Sequence, residues 1–213
     1  MPLTNKNIVL DIDQTLVISY EYLNEIKDID LSDKEIASRL RIIVVSDKPM
    51  YVFIRPYCRD FLRFCFNYFD KVIVWSAGTS NYVNAVVNIL FNEISEPDRV
   101  FARDFCEYKG NNPNKPLEKI TKEIPSVNLS NTLILDDSAY NFINNPDNGV
   151  LIPSYSQENK CDNQLLKFVQ WLMKKTTMTS TDVRKLEKSQ IFNNVLPEYC
   201  YARAILTKKA PVK

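Results

Sequence analysis

Three short aliphatic runs, each followed at once by polar side chains, restrict most strongly what this chain can fold into. They occupy residues 8–10, 71–75 and 132–135, and a fourth run at 149–152 has the same character. An uninterrupted aliphatic run of this length is typical of a strand that is covered on both faces. Segments of helical pattern separate the runs. The sequence therefore predicts an α/β domain with a mainly parallel central sheet and helices on both faces.

The segments between these strands carry start, stop and turn signals. Residues 42–45 and 50–54 flank a Ser-Asp-Lys-Pro turn, which predicts a small β-hairpin inserted after the first strand. Helices are predicted at residues 32–40, 56–69, 79–94 and 117–124, then from Asp162 or Asn163 onward, and again after Ser180. Residues 99–102 are predicted as a short strand and residues 111–114 as a loop.

Carboxylate and hydroxyl side chains directly follow three of the predicted strands. They are Asp11 and Asp13 after the first, Ser76 after the second, and Asp136 with Asp137 after the third. The carboxyl ends of parallel strands share one edge of a sheet, where ligands bind, so these groups can converge. Carboxylates as close as the first pair repel each other, and a bound cation or a shared proton is the usual compensation. Lys115, just before a predicted helix, is a further candidate for this edge.

The absence of histidine restricts the chemistry that this edge can perform. The 213 residues include no histidine. This excludes the Ser-His-Asp and Cys-His catalytic groups and any zinc site with histidine ligands. The 5 cysteines are scattered and form no CxxC pair, which favours reduced thiols in an intracellular compartment. A metal would therefore bind oxygen ligands, which points to Mg²⁺. The 3 glycines form no nucleotide-binding loop.

Charge and hydropathy give no support for a nucleic-acid or membrane partner. The formal net charge is +1. No apolar run approaches the roughly 18 residues of a membrane-spanning helix. Residues 1–7 do not have the shape of a signal peptide. We expect a soluble intracellular monomer, nuclear or cytoplasmic, that binds neither nucleic acid nor membranes directly.

Carboxylates, a hydroxyl and a lysine can together hydrolyse a phosphate ester without histidine. A carboxylate attacks phosphorus to form an acyl phosphate, which water then cleaves. Mg²⁺ on acidic oxygens screens the repulsion between carboxylate and phosphoryl group. A hydroxyl and a lysine hold the phosphoryl oxygens while a second carboxylate transfers protons. Each residue alone also has an ordinary structural explanation, but their joint occurrence at strand ends favours the functional one.

Six short motifs occur in order along residues 7–175. They are Asp-Ile-Asp-Gln-Thr at 11–15, Arg-Pro-Tyr-Cys-Arg-Asp-Phe-Leu at 55–62, Trp-Ser-Ala at 75–77, Cys106 with Lys115, Leu-Asp-Asp-Ser at 135–138 and Asn-Pro-Asp-Asn at 145–148. In this order they resemble the haloacid dehalogenase (HAD) superfamily. The likeness is strongest to its FCP/SCP branch, the protein serine/threonine phosphatases that act on the C-terminal domain of RNA polymerase II. The resemblance implies a HAD-like Rossmannoid fold, Mg²⁺ and an aspartyl-phosphate intermediate.

The resemblance also implies roles for the residues that react with the phosphoryl group. Asp11 would be the nucleophile and a metal ligand. Asp13 would be the acid/base, and its backbone carbonyl would also bind the metal. Ser76 and Lys115 would bind the phosphoryl oxygens.

Further roles implied by the resemblance concern the metal and the substrate. In the Leu-Asp-Asp-Ser motif, Asp137 would take the metal-binding position and Asp136 would support both Asp137 and Lys115. Both aspartates are candidate metal ligands, and the resemblance does not decide which of the two binds the ion directly. Thr15 would orient the loop after the first strand, and Ala77 would contribute to the substrate site. Lys109 is close to where some members carry an arginine that contacts substrate.

Three functions are compatible with these residues. The first is a phosphatase for a phosphorylated protein segment, with the RNA polymerase II C-terminal domain as the example. The others are a HAD phosphatase for a small or nucleic-acid phosphomonoester and a non-catalytic HAD-like scaffold. Residues 18–54 and 95–114 are too short for a large cap domain, and an open site favours a protein segment. We expect the phosphatase domain at 1–178 and a C-terminal helical extension and tail at 179–213, packed on the same domain.

Overall fold

The computed structural model describes residues 1–193, which form ten strands arranged in three sheets. In chain order the strands are β1 (Asn7–Leu10), β2 (Val17–Tyr20), β3 (Leu40–Val45), β4 (Lys48–Ile54), β5 (Lys71–Trp75), β6 (Arg99–Phe101), β7 (Glu107–Lys109), β8 (Asn112–Asn114), β9 (Thr132–Asp136) and β10 (Gly149–Leu151). Five of them form the central sheet in the order β10-β9-β1-β5-β6, and every pairing in this sheet is parallel.

Six α-helices connect or flank these strands in the described part of the chain. They are α1 (Lys34–Arg39), α2 (Cys58–Tyr68), α3 (Ser80–Phe91), α4 (Leu117–Glu123), α5 (Gln164–Leu172) and α6 (Lys175–Thr179). Five of the six predicted helices are present, and they correspond in order to α1, α2, α3, α4 and α5. The boundaries differ by up to three residues, as is usual at helix ends.

Side chains of the central strands alternate between two cores, one on each face of the sheet. Ile8 and Leu10 pack in the larger core with residues of α2, α3 and α5. Val9 packs in the smaller core, where Leu117 and Ile120 of α4 cover the opposite face. The side chains of Ile8, Val9 and Leu10 are fully buried. The predicted mainly parallel sheet with helices on both faces is therefore confirmed.

The register of the central strands aligns their carboxyl ends. Leu10, the last residue of β1, lies beside Val74 on β5 and beside Leu135 on β9. The residues that follow these three positions therefore emerge at one edge of the sheet. This alignment puts the polar residues after β1 next to those at the ends of β5 and β9.

The predicted hairpin is present and is larger than expected. β3 and β4 pair antiparallel, and β2 adds to β4 to give a three-stranded sheet. The connecting residues Ser46 and Asp47 have φ angles of 50° and 64°. Positive φ at both turn positions matches the right-handed twist of the two strands, as in the two-residue hairpin turns that proteins prefer.

The prediction of a loop at residues 111–114 is wrong, because Asn112–Asn114 forms β8 and pairs with β7. Gly110 has a φ of 62° and supplies the left-handed conformation that this short turn requires. Pro113 lies opposite Tyr108, one pair beyond the pair that adjoins the turn. Antiparallel pairs alternate between hydrogen-bonded and non-hydrogen-bonded, so the missing N–H of proline is tolerated there.

The helix predicted after Ser180 is also wrong within the described residues, where only the 3-10 turn Val183–Lys185 follows. The Ser180 hydroxyl donates to the Asp182 carbonyl, and the Asp182 carboxylate accepts from the backbone N–H of Arg184. Such local side-chain bonds compete with helix formation. Val183 and Ile191 nevertheless pack in the larger core. Of the predicted extension 179–213, residues 194–213 lie outside the described residues.

The cysteines and the helices of residues 1–193 can be compared with the predictions of reduced thiols and of no membrane-spanning segment. Cys58, Cys65, Cys106 and Cys161 are free thiols, and Cys200 lies outside the described residues. None of the helices found in residues 1–193 combines the length and the apolar composition that crossing a membrane requires.

Candidate active site

Three carboxylates gather at the carboxyl edge of the central sheet. Asp11 follows β1 directly, Asp136 is the last residue of β9, and Asp137 comes next in the chain. One oxygen from each lies within 4.8 Å of the others. The backbone N–H of Asp11 donates to the Leu135 carbonyl at 3.1 Å, so the pairing of β1 with β9 extends to this residue. The structure thus brings together carboxylates that are more than one hundred residues apart in sequence.

Lys115 lies between two of these carboxylates. Its Nζ is 2.5 Å from Oδ1 of Asp11 and 2.7 Å from Oδ2 of Asp136, and its side chain is fully buried. The backbone N–H of Lys115 donates to the Asn141 carbonyl at 2.6 Å, which fixes the chain just before α4. A buried lysine held at two points in this way is a fixed positive charge in the acid cluster.

Asp136 and Asp137 have different surroundings. Oδ2 of Asp136 accepts from Lys115, while its Oδ1 accepts from the backbone N–H of Ser138 at 2.9 Å and from Nδ2 of Asn141 at 2.7 Å. Asp137 is half-buried, and only its Oδ2 accepts a protein hydrogen bond in residues 1–193, from Ser154 at 2.7 Å. Asp136 therefore organises the neighbouring loop and Lys115, whereas Asp137 keeps an oxygen available.

The acid cluster fits a divalent cation with a preference for oxygen ligands. Oδ2 of Asp11 and Oδ1 of Asp137 accept no hydrogen bond from the described residues. Three clustered carboxylates face a single lysine, so the cluster keeps excess negative charge. Carboxylate oxygens with excess negative charge are the donor set that Mg²⁺ prefers. Asp11, Asp136 and Asp137 are the residues that could hold the ion, and Asp137 offers an oxygen that accepts no hydrogen bond from the described residues.

Asp13 lies apart from this cluster, although it is only two residues from Asp11. Its carboxylate accepts from the Ser76 hydroxyl at 3.2 Å and from the hydroxyl of Tyr82 on α3. The Tyr82 oxygen is also 2.7 Å from the Ser19 hydroxyl on β2. The first of the two carboxylates thus faces the acid cluster and the second faces α3.

Burial and mutual repulsion shift the acid–base equilibria of these groups. Burial raises the pKa of Asp11 well above its usual range, and the Asp136 carboxylate adds to this shift, although Lys115 opposes it. Burial also raises the pKa of Asp13, against the hydrogen bonds from Tyr82 and Ser76. Burial alone would lower the pKa of Lys115, but Asp11 and Asp136 outweigh it, so this pKa is raised and the lysine stays charged.

Thr15, Ala77 and Lys109, the remaining residues predicted to contribute to the substrate site, differ in burial and in their contacts. Thr15 is fully buried and its hydroxyl has no hydrogen-bond partner in residues 1–193. Ala77 is half-buried and its carbonyl accepts from Nε of Arg103 at 2.9 Å. Lys109 is exposed on β7, and neither a hydrogen bond nor an ion pair joins it to the described acid cluster. Of these three, Ala77 is the one that lines the groove described next.

A groove of about 410 Å³ opens beside Asp13. Its walls come from the three-stranded sheet, from the start of α3 and from the loop before β7. The lining residues are Asp13, Ser19, Glu21, Val45, Met50, Ala77, Gly78, Thr79, Tyr82 and Arg103. The groove offers walls of mixed polar and apolar character, the cationic Arg103, the acidic Glu21 and direct access to the Asp13 carboxylate.

Sequence reasoning missed several residues that hold the site. Tyr82 contacts Asp13 across 69 positions of the chain, and Ser154 contacts Asp137 across 17. Nδ2 of Asn141 donates to the Asp136 carboxylate, and the Asn141 carbonyl accepts from the backbone N–H of Lys115. None of these three follows a strand directly, so the strand-end pattern could not find them. For Tyr82 the only signal was its place in the first turn of a helix that begins after Ser76.

Comparison with known proteins identifies the family of this chain. The family model of NLI interacting factor-like phosphatases matches residues 6–184. This range includes the central sheet, all three carboxylates of the cluster, Asp13, Ser76 and Lys115. The chain belongs to the NLI interacting factor-like phosphatase family.

Curated relatives of this chain include several phosphatases. Phosphatase PSR1 of Saccharomyces cerevisiae is 31% identical over 182 residues, which cover 85% of this chain and 39% of the relative. A probable C-terminal domain small phosphatase of Dictyostelium discoideum is 28% identical, covering 76% and 47%. The human carboxy-terminal domain RNA polymerase II polypeptide A small phosphatase 1 is 28% identical, covering 74% and 54%. The match thus spans about half of each relative or less.

Solved structures support the fold. A structure of Fcp1, an essential RNA polymerase II CTD phosphatase, superimposes with a TM-score of 0.56 and 16% identity, covering 86% of this chain and 58% of that one. Fission yeast Fcp1 bound to beryllium fluoride gives a TM-score of 0.57 at 16% identity, covering 88% and 60%. At this identity the likeness concerns the fold alone, and it is consistent with the HAD-like α/β architecture predicted from the motifs.

Proposed function

We propose that the chain is a Mg²⁺-dependent phosphatase for phosphoserine or phosphothreonine in proteins and that it acts through an aspartyl phosphate on Asp11. The proposal rests on the surroundings of the Asp11 carboxylate. The buried Asp11 carboxylate has one oxygen held 2.5 Å from Lys115 and a second oxygen without a hydrogen bond from the described residues. A carboxylate oriented by a cation, with a free oxygen at a ligand-binding edge, is suited to nucleophilic attack on phosphorus.

In the first step the Asp11 carboxylate attacks phosphorus and the bond between phosphorus and the seryl or threonyl oxygen breaks. Asp13 in its acid form donates a proton to the departing oxygen. Lys115 donates a hydrogen bond to a phosphoryl oxygen, and the Ser76 hydroxyl turns from Asp13 to donate to another, so the developing charge is neutralised where it forms. The products of this step are the protein alcohol and the aspartyl phosphate.

In the second step water attacks the phosphorus of the aspartyl phosphate. Asp13, now a carboxylate, takes a proton from this water, and the bond to Asp11 breaks. Free phosphate leaves and both acids return to their starting states. Mg²⁺ held by Asp11, Asp137 and the Asp13 carbonyl would supply positive charge that lowers the repulsion between carboxylate and phosphoryl group. The chain needs no histidine for either step.

The proposed substrate is a phosphorylated segment of another protein, with the RNA polymerase II C-terminal domain as the first candidate. The names of the human relative and of the Fcp1 structure include this domain. The groove beside Asp13 combines the apolar side chains Val45 and Met50 with the exposed cationic Arg103. Such a surface suits an extended phosphopeptide better than a small polar metabolite.

A phosphopeptide panel tests this proposal. Polymerase-tail heptads phosphorylated on each serine in turn, an unrelated phosphoserine peptide and p-nitrophenyl phosphate are incubated with the chain, with Mg²⁺ or with EDTA. We expect phosphate release from peptides with Mg²⁺ only, and its loss in Asp11→Asn. Activity that survives Asp11→Asn contradicts the nucleophile assignment. Hydrolysis restricted to small or nucleic-acid phosphomonoesters would favour that alternative, and complete inactivity would favour a scaffold.

A further inference from the structure

Tyr82 occupies an unusual position in the site. It lies in the first turn of α3, and its side chain is 7% exposed. Its hydroxyl hydrogen-bonds to Oδ1 of Asp13, and the Tyr82 oxygen is also 2.7 Å from the Ser19 hydroxyl. The roles implied by the sequence motifs leave this tyrosine unassigned. Its hydroxyl is nevertheless directly bonded to the proposed acid.

Both oxygens of the Asp13 carboxylate are held by protein donors. Ser76 donates to Oδ2 at 3.2 Å and Tyr82 donates to Oδ1. Burial raises the pKa of the Tyr82 phenol, so its hydroxyl stays protonated and remains a donor. Ser19 can then donate to the Tyr82 oxygen, which gives a chain of hydrogen bonds from β2 through α3 to Asp13. This chain ties the orientation of the carboxyl group to two separate elements.

The backbone beside Tyr82 leaves room for this arrangement. A Cβ atom on Gly78 would lie 2.6 Å from Cδ1 of Tyr82. Contacts this short do not occur between real side chains, so an alanine at 78 would displace the ring. The absence of a side chain at 78 is therefore a packing requirement for the Tyr82 position.

We propose that Tyr82 is a positioning residue, whose hydroxyl holds the Asp13 carboxyl group in the orientation that protonates an alkoxide leaving group. This inference rests on the proposed phosphatase function, and it adds to that function the residue that aims the acid. A seryl oxygen is a poor leaving group and needs the proton as the bond to phosphorus breaks. A p-nitrophenolate leaves without that proton. The effect of Tyr82 should therefore depend on the leaving group.

Tyr82→Phe tests the proposal because it keeps the ring and removes only the hydroxyl. We measure kcat/KM, which reports on the steps up to the first product release. For a phosphoserine peptide we expect a loss of about tenfold, a fraction of the full effect of general acid catalysis. For p-nitrophenyl phosphate we expect a change of less than about twofold, because the acid contributes little there.

Two further variants separate positioning from general destabilisation. Tyr68→Phe is the matched control, since Tyr68 is fully buried and its hydroxyl donates to the Leu172 carbonyl at 2.7 Å, away from the acid cluster. It should leave the ratio of the two kcat/KM values unchanged. In an Asp13→Asn background, Tyr82→Phe should cause no further loss on the phosphoserine peptide, because the group that it positions is gone.

The outcomes distinguish this inference from the proposed function. Equal losses on both substrates would overturn the positioning role, as would a raised peptide KM at unchanged kcat, which would place Tyr82 in direct contact with the substrate. An additive loss in the Asp13→Asn background would overturn it too. An inactive wild type would instead overturn the proposed function together with this inference.

Discussion

Lys115 is the only lysine or arginine that forms ion pairs with the acid cluster in residues 1–193. Its charge is fully buried, so its removal leaves Asp11 and Asp136 facing each other without compensation. Loss of one partner from a buried ion pair costs about 3–5 kcal/mol. We therefore expect Lys115 to stabilise the metal-free protein, apart from any contact with phosphate.

Lys115→Met should lower the free energy of unfolding at pH 7 in EDTA by about 3 kcal/mol, measured by urea denaturation. The loss should shrink as the pH falls. The pKa of Asp11 is already raised in the folded wild type, so acid protonates this carboxyl readily and removes the repulsion that the variant suffers. Lys122→Met, at an exposed position, is the control and should change stability little. A loss that grows on acidification would contradict this account.

The role of Asp137 as a metal ligand can be tested by the effect of magnesium on stability. At a concentration of about ten times its dissociation constant, Mg²⁺ should stabilise the wild type by about 1.4 kcal/mol. Asp137→Asn should lose most of this stabilisation, because Asp137 has an oxygen that is not hydrogen-bonded within residues 1–193. Asp147→Asn, at an exposed position, should retain it. Thermal unfolding with and without Mg²⁺ measures both, and full stabilisation of Asp137→Asn would exclude Asp137 as a ligand.

At the scale of elements, Arg55 joins the loop after β1 to the segment before α5. Its guanidinium pairs with Asp162 through two hydrogen bonds, of 2.9 and 2.8 Å, and donates to the carbonyls of Thr15 and Pro153 at 3.0 and 2.8 Å. Both charged side chains are almost completely buried. The planar guanidinium can make these contacts together, which the single ammonium of a lysine cannot.

Arg55→Lys should therefore lower stability by about 3 kcal/mol and reduce kcat at temperatures where the variant is still folded, because the loop that carries Asp13 loses its anchor. Urea denaturation and peptide hydrolysis measure the two effects. Arg63→Lys is the matched control, since Arg63 forms an exposed 3.4 Å pair with Asp60. If Arg55→Lys and Arg63→Lys behave alike, the anchoring role is wrong.

At the scale of the whole molecule, the described chain continues past the phosphatase domain boundary proposed at residue 178. Val183 is fully buried and Ile191 is 2% exposed, and both pack in the larger core. Full burial of one such side chain contributes about 1.5–3 kcal/mol. We propose that residues 179–193 form part of the same folding unit as residues 1–178.

A truncation series tests this unit. A chain that ends at residue 178 should lose at least about 3 kcal/mol of stability, because two core side chains are removed. A chain that ends at residue 193 retains both. Urea denaturation of the two truncated chains beside the full chain compares them. Equal stability of all three would contradict the proposed boundary.

The sequence predicts the architecture well because each central strand is a continuous aliphatic run, and such a run is stable only when covered on both faces. It predicts where Asp11 and Asp136 lie for the same reason, since parallel register aligns the strand ends. It fails for β8, where a proline-containing segment pairs through a glycine turn, and for residues after Ser180, where local side-chain bonds replace a helix. Tyr82 was not predicted because its contact with Asp13 depends on how α3 packs, which no local pattern encodes.

Chemical trapping of the aspartyl phosphate can show whether Asp11 is the residue that carries the phosphoryl group. The chain is mixed with a phosphoserine peptide and Mg²⁺, quenched in acid and reduced with borohydride, which converts an aspartyl phosphate into homoserine. Mass spectrometry of the peptide that contains residues 8–17 then locates the product. We expect homoserine at position 11 and aspartate at position 13. Homoserine at 13, or phosphate release with neither position modified, would contradict this role of Asp11.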